Sequence, residues 1–191
     1  GNSMTNNRFG IRVDGSSNII SENIINGNKY NLGVSGDLPS HSIDASNLVD
    51  GKPVSYLINR KDLVINPSTH PQVGYLALIN CINITIEDLT LTSNGQGILF
   101  SNTNDSKITG NNITNNSLGI PLICSSNNLI SRNNITNNEA EGGIYLSGCS
   151  NNSIHENNIA KNELGIDLEY SSHNTISGNN LTNNSFAIDL W

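Results

Sequence analysis

Three carboxylates near the end of the chain, Asp167, Glu169 and Asp189, are the side chains best placed to do chemistry. Asp167 and Asp189 are 22 residues apart, Tyr145 precedes Asp167 by the same step, and Trp191 lies two positions after Asp189. If residues one step apart are stacked on neighbouring strands, the two aspartates sit about 4.8 Å from one another. Two acids that close cannot ionise independently, so one keeps its proton to higher pH. Beside an aromatic platform, such a pair suits acid/base cleavage of a glycosidic bond. Retaining hydrolysis uses carboxylates roughly 5–5.5 Å apart and inverting hydrolysis roughly 6.5–9.5 Å, so Asp167 and Asp189 lean toward the closer class. Asp167, Glu169 and Asp189 are therefore the candidate catalytic residues, and Tyr145, Asp167, Glu169 and Trp191 the candidate ligand-binding set. The same acids would also serve simply to solvate the outside of a sheet, and that plainer role is favoured.

Other chemistries find less support. A uronate lyase needs a cationic base or charge neutraliser, and Arg12 is the single cation on the same face, far from the acids. His41, His70, His155 and His173 fall in different columns of the stack, so neither a Ser/His/Asp constellation nor a metal site assembles. No metal ligand and no cofactor is expected.

The elements that must position these acids are repeats. GILFSNTNDSKITGNNITNN from Gly97, GIPLICSSNNLISRNNITNN from Gly119, GIYLSGCSNNSIHENNIAKN from Gly143 and GIDLEYSSHNTISGNNLTNN from Gly165 align, and GIRVDGSSNIISENIINGN from Gly10 joins them. Each reads G-I-x-L, a polar turn, N-x-I-x-x-N-x-I, then Asn-rich punctuation. Glycine and asparagine recur too often for a helix, whereas short period-2 runs suit strands. Strands this short bury an apolar face only by stacking on their neighbours. The expected fold is all-β: a parallel β-helix of about eight or nine coils with about 22 residues per coil. It forms one domain over 1–191, with 38–73 as a degenerate coil or looped segment in which Val54 marks the missing step. The opening GNSMTNNRFGIRV matches the closing GNNLTNNSFAIDL, so Met4 takes the column of Leu181. The expectation is a piece of a longer array, without end caps, and with end-to-end or oligomeric stacking as an option.

Three residues after the second-strand isoleucine comes asparagine, at Asn23, Asn111, Asn133, Asn157 and Asn179. Amides carry a donor and an acceptor, so stacked copies form a ladder, broken where Leu89 intervenes. A positive φ is expected at these asparagines; the remaining asparagines are read as surface turn residues. Alternation also assigns an outer face to the first strand. Its middle members Ala77, Ile79, Leu99, Pro121 and Ile123 form an apolar stripe, which calls for a cover, from segment 38–73 or from a partner chain.

The net charge of −7, with nine Lys and Arg, excludes a nucleic-acid partner, which needs a basic footprint. No apolar run approaches the roughly 20 residues of a membrane span. Cys81, Cys124 and Cys149 read as small buried thiols, with a Cys124–Cys149 bridge as the alternative.

The units G-I-x-L and N-x-I-x-x-N-x-I resemble the parallel β-helix repeats of the NosD-type family, also described as carbohydrate-binding and sugar-hydrolysis domains. DGKPVSYLINRKDLVIN and VGYLALINCINITIEDLTLTSNGQGI are similar to segments of large surface proteins from methanogenic archaea. The resemblance implies a right-handed β-helix and a role on polysaccharide or the cell envelope; eight Asn-x-Ser/Thr sequons lean the same way. The copper label carried by NosD is not supported by the ligand types here. The expected function is a non-catalytic, extracellular or cell-surface platform, structural or binding glycan or protein, with cell-envelope polysaccharide or other surface proteins as partners. The alternative is a polysaccharide-active enzyme built on the three acids.

Overall fold

Isoleucine and leucine set the architecture by stacking on themselves. In the computed structural model, which describes residues 1–139 and 142–191, Ile86, Ile108, Ile130, Ile154 and Ile176 are partners in register on successive second strands. Leu91, Ile113, Ile135, Ile159 and Leu181 form the matching column on the third. Ile144, Ile166 and Ile188 continue the first. Most of these side chains are fully buried in one core, each contributing about 1.5–3 kcal/mol. The chain is an all-β solenoid of parallel strands; among the described residues its one helical element is a short 3-10 turn at Leu38–Ser40.

Asparagine holds the corners. Asn111 Nδ2 donates to Asn133 Oδ1 at 3.0 Å, Asn133 to Asn157 at 3.0 Å, and Asn157 to Asn179 at 2.9 Å. At Leu89 only the backbone N–H reaches Asn111 Oδ1. In the first coils Asn23 donates instead to Asn47. Two details differ from the sequence reading. The left-handed backbone belongs to the residue before each ladder asparagine, such as Glu22, Gly110, Arg132, Glu156 and Gly178; the amide must itself point inward to reach its neighbours. Nor are all the other asparagines surface turn residues, as exposed Asn115 and Asn137 are. Asn116, Asn138, Asn162 and Asn184 form a second ladder, and Asn128, Asn152 and Asn174 a third. Cys81, Thr103, Ser125 and Cys149 make a fourth column, in which each backbone N–H meets the next side chain.

The winding reverses once. Leu48–Val49 and Lys52–Ile58 pair antiparallel across Asp50 and Gly51, whose φ of 46° and 76° suit a two-residue hairpin. Residues before the hairpin form small coils, with Phe9–Val13 paired to Tyr30–Val34 and Ile19–Ile20 to Ser42–Ile43. Residues after it form a longer stack. Its first strands run through Lys52–Ile58, Tyr75–Ile79, Ile98–Ser101, Leu118–Ile123, Gly142–Ser147, Leu164–Glu169 and Phe186–Leu190. One ten-stranded sheet joins the two stacks, because the third strands of the small one continue into the first strands of the large one. Each face of that sheet belongs to a different core. Leu76, Leu78 and Ile98 point into the large stack, while Tyr75, Ala77, Ile79 and Leu99 point into the small one, among Val34, Leu38, Val49 and Val54.

This corrects the phase of segment 38–73. Val54 pairs with Tyr75, and Ser55 with Leu76, so Ser55 and Leu57 face inward and Val54 outward. The hairpin resets the alternation. It also replaces a single straight stack with two that share a wall.

Candidate functional site

The apolar outer stripe is covered by the molecule itself. Ala77 and Ile79 are completely buried and Leu99 nearly so, beneath the small stack and Leu38. The edge of Tyr30–Val34 is stitched to residues 93–96: Asn31 N donates to Ser93 O at 2.6 Å, and Gly95 N to Leu32 O at 2.8 Å. Gln96 then clamps Val34, accepting from its N–H at 3.1 Å and donating to its C=O at 3.0 Å, and takes the Tyr75 hydroxyl at 2.8 Å. A Cβ on Gly95 would stand 2.5 Å from Gly33 Cα, so this approach requires glycine.

Beyond the clamp the two stacks diverge and leave a groove. One recess of about 270 Å³ has Leu99, Pro121 and Ile123 as its floor, Val34, Asp37, Leu38 and Pro39 as its roof, and Tyr145 at its far end. A second, of about 260 Å³, continues from it past Gln96 and Leu118 to Phe9, Arg8 and Arg12. The groove is thus apolar in the middle, with arginines at one end and a tyrosine and an aspartate at the other.

The sequence-derived candidates are only partly brought together. Asp167 and Asp189 are partners in register on adjacent strands, and Tyr145 pairs with Asp167. The Tyr145 hydroxyl donates to Glu169 Oε2 at 2.7 Å, and desolvation, followed by that bond, pushes its pKa up to about 12. Asp167 is 5% exposed. Tyr145 lines the groove; Asp167, Glu169 and Asp189 do not. Trp191 is 79% exposed and lines a different recess with Leu168, Ile176 and Leu190, where no carboxylate takes part.

Arg8, Phe9 and Gln96 escaped the sequence reading. Gln96 left a trace: two positions before Ile11, Ile120, Ile166 and Ile188 stand Phe9, Leu118, Leu164 and Phe186, and before Ile144 a glycine, so a polar side chain in that column is an anomaly.

Comparison with protein families matches residues 41–191 to the family described as periplasmic copper-binding protein (NosD). The chain belongs to the NosD family. Comparison with curated proteins and with solved structures finds no significant match. The NosD description names a metal, and the donors in this NosD-family chain do not fit it. Among the described residues no three His, Cys, Asp or Glu side chains gather, whereas soft-metal sites need clustered Cys, Met or His. His41 uses both ring nitrogens on backbone groups, the Asn18 N–H at 3.3 Å and Ser35 O at 3.1 Å. All three cysteines are free thiols; Cys81 and Cys149 are buried, and desolvation raises both thiol pKa values. Met4 packs against the small core. The NosD family is described as periplasmic, and among the described residues no helix is long and apolar enough to cross a membrane.

Proposed function

We propose that this chain is a non-catalytic, extracellular β-helix platform whose inter-stack groove binds glycan. The observation that carries the reading is the groove: a rigid, partly roofed cleft with an apolar floor and polar groups at its rim, the usual composition of a small-ligand site. Pro39 and Ile123 offer a surface for the C–H faces of sugar rings, while Ser35, Ser101 and Tyr145 offer hydroxyl groups. The walls are two stacks locked by hydrogen-bond ladders, so little conformational entropy is lost on binding. A role at the envelope, on polysaccharide or other surface proteins, accords with a family described as periplasmic.

Ile123→Glu, which places a charge on the groove floor, is expected to weaken oligosaccharide binding by about tenfold or more, measured by calorimetry against a glycan panel. Unchanged binding of every ligand would overturn the groove as the site. The second reading, an enzyme using Asp167, Glu169 and Asp189, draws on the register that stacks Asp167 on Asp189. Against it, Glu169 accepts from Tyr145, and none of the three acids lines the groove. Asp167→Ala is expected to leave binding intact, and wild type is expected to release no reducing ends; hydrolysis abolished in the variant would favour the enzyme.

A further inference from the structure

Four surfaces of the described molecule are candidates for a further role. The exposed amide ladder Asn112–Asn134–Asn158–Asn180 is satisfied along its own axis at 2.7 to 2.9 Å. The recess beside Trp191 and the thiol of Cys124 have nothing near them that selects a ligand. The arginine end of the groove does.

Arg8 and Arg12 are exposed and line one recess. Among the described residues neither has a carboxylate at ion-pair distance. Glu139, an acid close enough to feel Arg8, is taken by Lys29 Nζ at 2.6 Å and by the Tyr30 hydroxyl at 3.0 Å. The cationic side of this end is therefore the guanidinium pair. Arg12 lies over the Phe9 ring, its Cζ 5.8 Å from the centroid, and Phe9 leans on Tyr30 with ring centroids 5.0 Å apart. Stacking holds a guanidinium plane while leaving its in-plane N–H groups directed outward, the arrangement that meets a planar or tetrahedral anion with paired hydrogen bonds.

We infer that the groove selects an acidic saccharide, whose carboxylate or sulfate sits at Arg8 and Arg12 while its uncharged rings cross Gln96 to Pro39 and Ile123. This rests on the groove binding glycan and adds which glycan and which way round. An extended acidic peptide fits less well, because peptides join such clefts by adding to a free strand edge. Here the edge of Tyr30–Val34 is already occupied by Ser93, Gly95 and Gln96. A polyanion fits less well still: Asp37 lines the far recess and Glu169 lies just past Tyr145, so a second anion there would be repelled. The ligand carries its charge at one end.

The test uses calorimetry on the whole chain with uronic-acid oligosaccharides, sulfated oligosaccharides, and the carboxyl-reduced or desulfated counterpart of each. At least one acidic form should bind about tenfold or more tightly than its neutral counterpart, and which arm binds identifies the anion. That preference should shrink as salt is raised. Arg8→Gln and Arg12→Gln should each erase it, while Lys107→Gln, the same charge change on another sheet, should not. Both arginines are exposed, so thermal unfolding should be unaltered in each variant. Acidic and neutral forms binding equally, or an acid preference that survives both arginine variants, would overturn the inference and leave the groove as a glycan site. No binding by any saccharide would sink that site as well.

Discussion

Asn133 and Asn134 are neighbours of the same type with opposite roles. Asn133, 1% exposed, accepts from the backbone and side chain of Asn111 at 3.0 Å each. It donates to Ile108 O at 2.9 Å and to Asn157 Oδ1 at 3.0 Å. Asn133→Ala removes all four bonds, leaving the Asn111 N–H without a partner inside the core and the Ile108 carbonyl without its side-chain donor. A loss of about 3 kcal/mol is expected by chemical denaturation. Asn134 is exposed, and its bonds to Asn112 and Asn158, at 2.7 Å each, are replaceable by water. Asn134→Ala should cost under about 1 kcal/mol. Equal losses would mean the buried ladder is not the stronger one. The N-x-I-x-x-N-x-I pattern made the ladder of Asn133 legible, because its asparagines keep step with buried isoleucines. It did not separate buried from exposed asparagines elsewhere, since Asn116 and Asn115 are the same letter and only the coil's path turns one inward.

The element that joins the stacks is the Tyr75–Ile79 strand, buried on both faces. Tyr75 is fully enclosed, and the half-buried Tyr56 donates its hydroxyl to Leu38 O at 2.7 Å. Desolvation raises the pKa of both, and with the Glu169 bond it pushes that of Tyr145 up to about 12, against roughly 10 for a free tyrosine. The unfolded chain ionises first. Stability from these phenols is therefore complete below pH of roughly 10 and is lost as pH climbs through the raised folded values. With the exposed Tyr170 replaced by Phe, unfolding should begin above roughly pH 10 and coincide with tyrosinate absorbance; absorbance rising long before unfolding would contradict the burial. Gly95→Ala acts on the same joint. Its Cβ would meet Gly33 Cα, so the amide of Asn31 should exchange faster with solvent while Asn111 and Asn133 keep their protection. Uniform protection would show that the approach has room. The sequence carried a hint of the joint in VDGKPV, since Asp-Gly between apolar residues is a strong hairpin signal. A repeat of constant period hides it, because each coil tells its own side chains which way is in but not whether the next coil stacks onward or turns back.

For the whole molecule, doubling back converts an apolar outer stripe into a wall and opens a groove beside it. Ala77, Ile79 and Leu99 read from sequence as a surface in want of a cover; the cover proves to be the chain's own first coils, together with Leu38. The acids at Asp167, Glu169 and Asp189 were legible as a column, yet the groove lies toward Arg8, Arg12 and Tyr145, residues 133 or more positions apart in sequence between its ends. Only the fold places them along one cleft. The most direct measurement is the reactivity of a thiol introduced at that wall. Ala77→Cys should add a thiol as inert to a maleimide as buried Cys149, while exposed Cys124 is modified readily. An introduced thiol that reacts at the rate of Cys124 would mean that the outer face of the sheet is bare and that the two stacks do not share it.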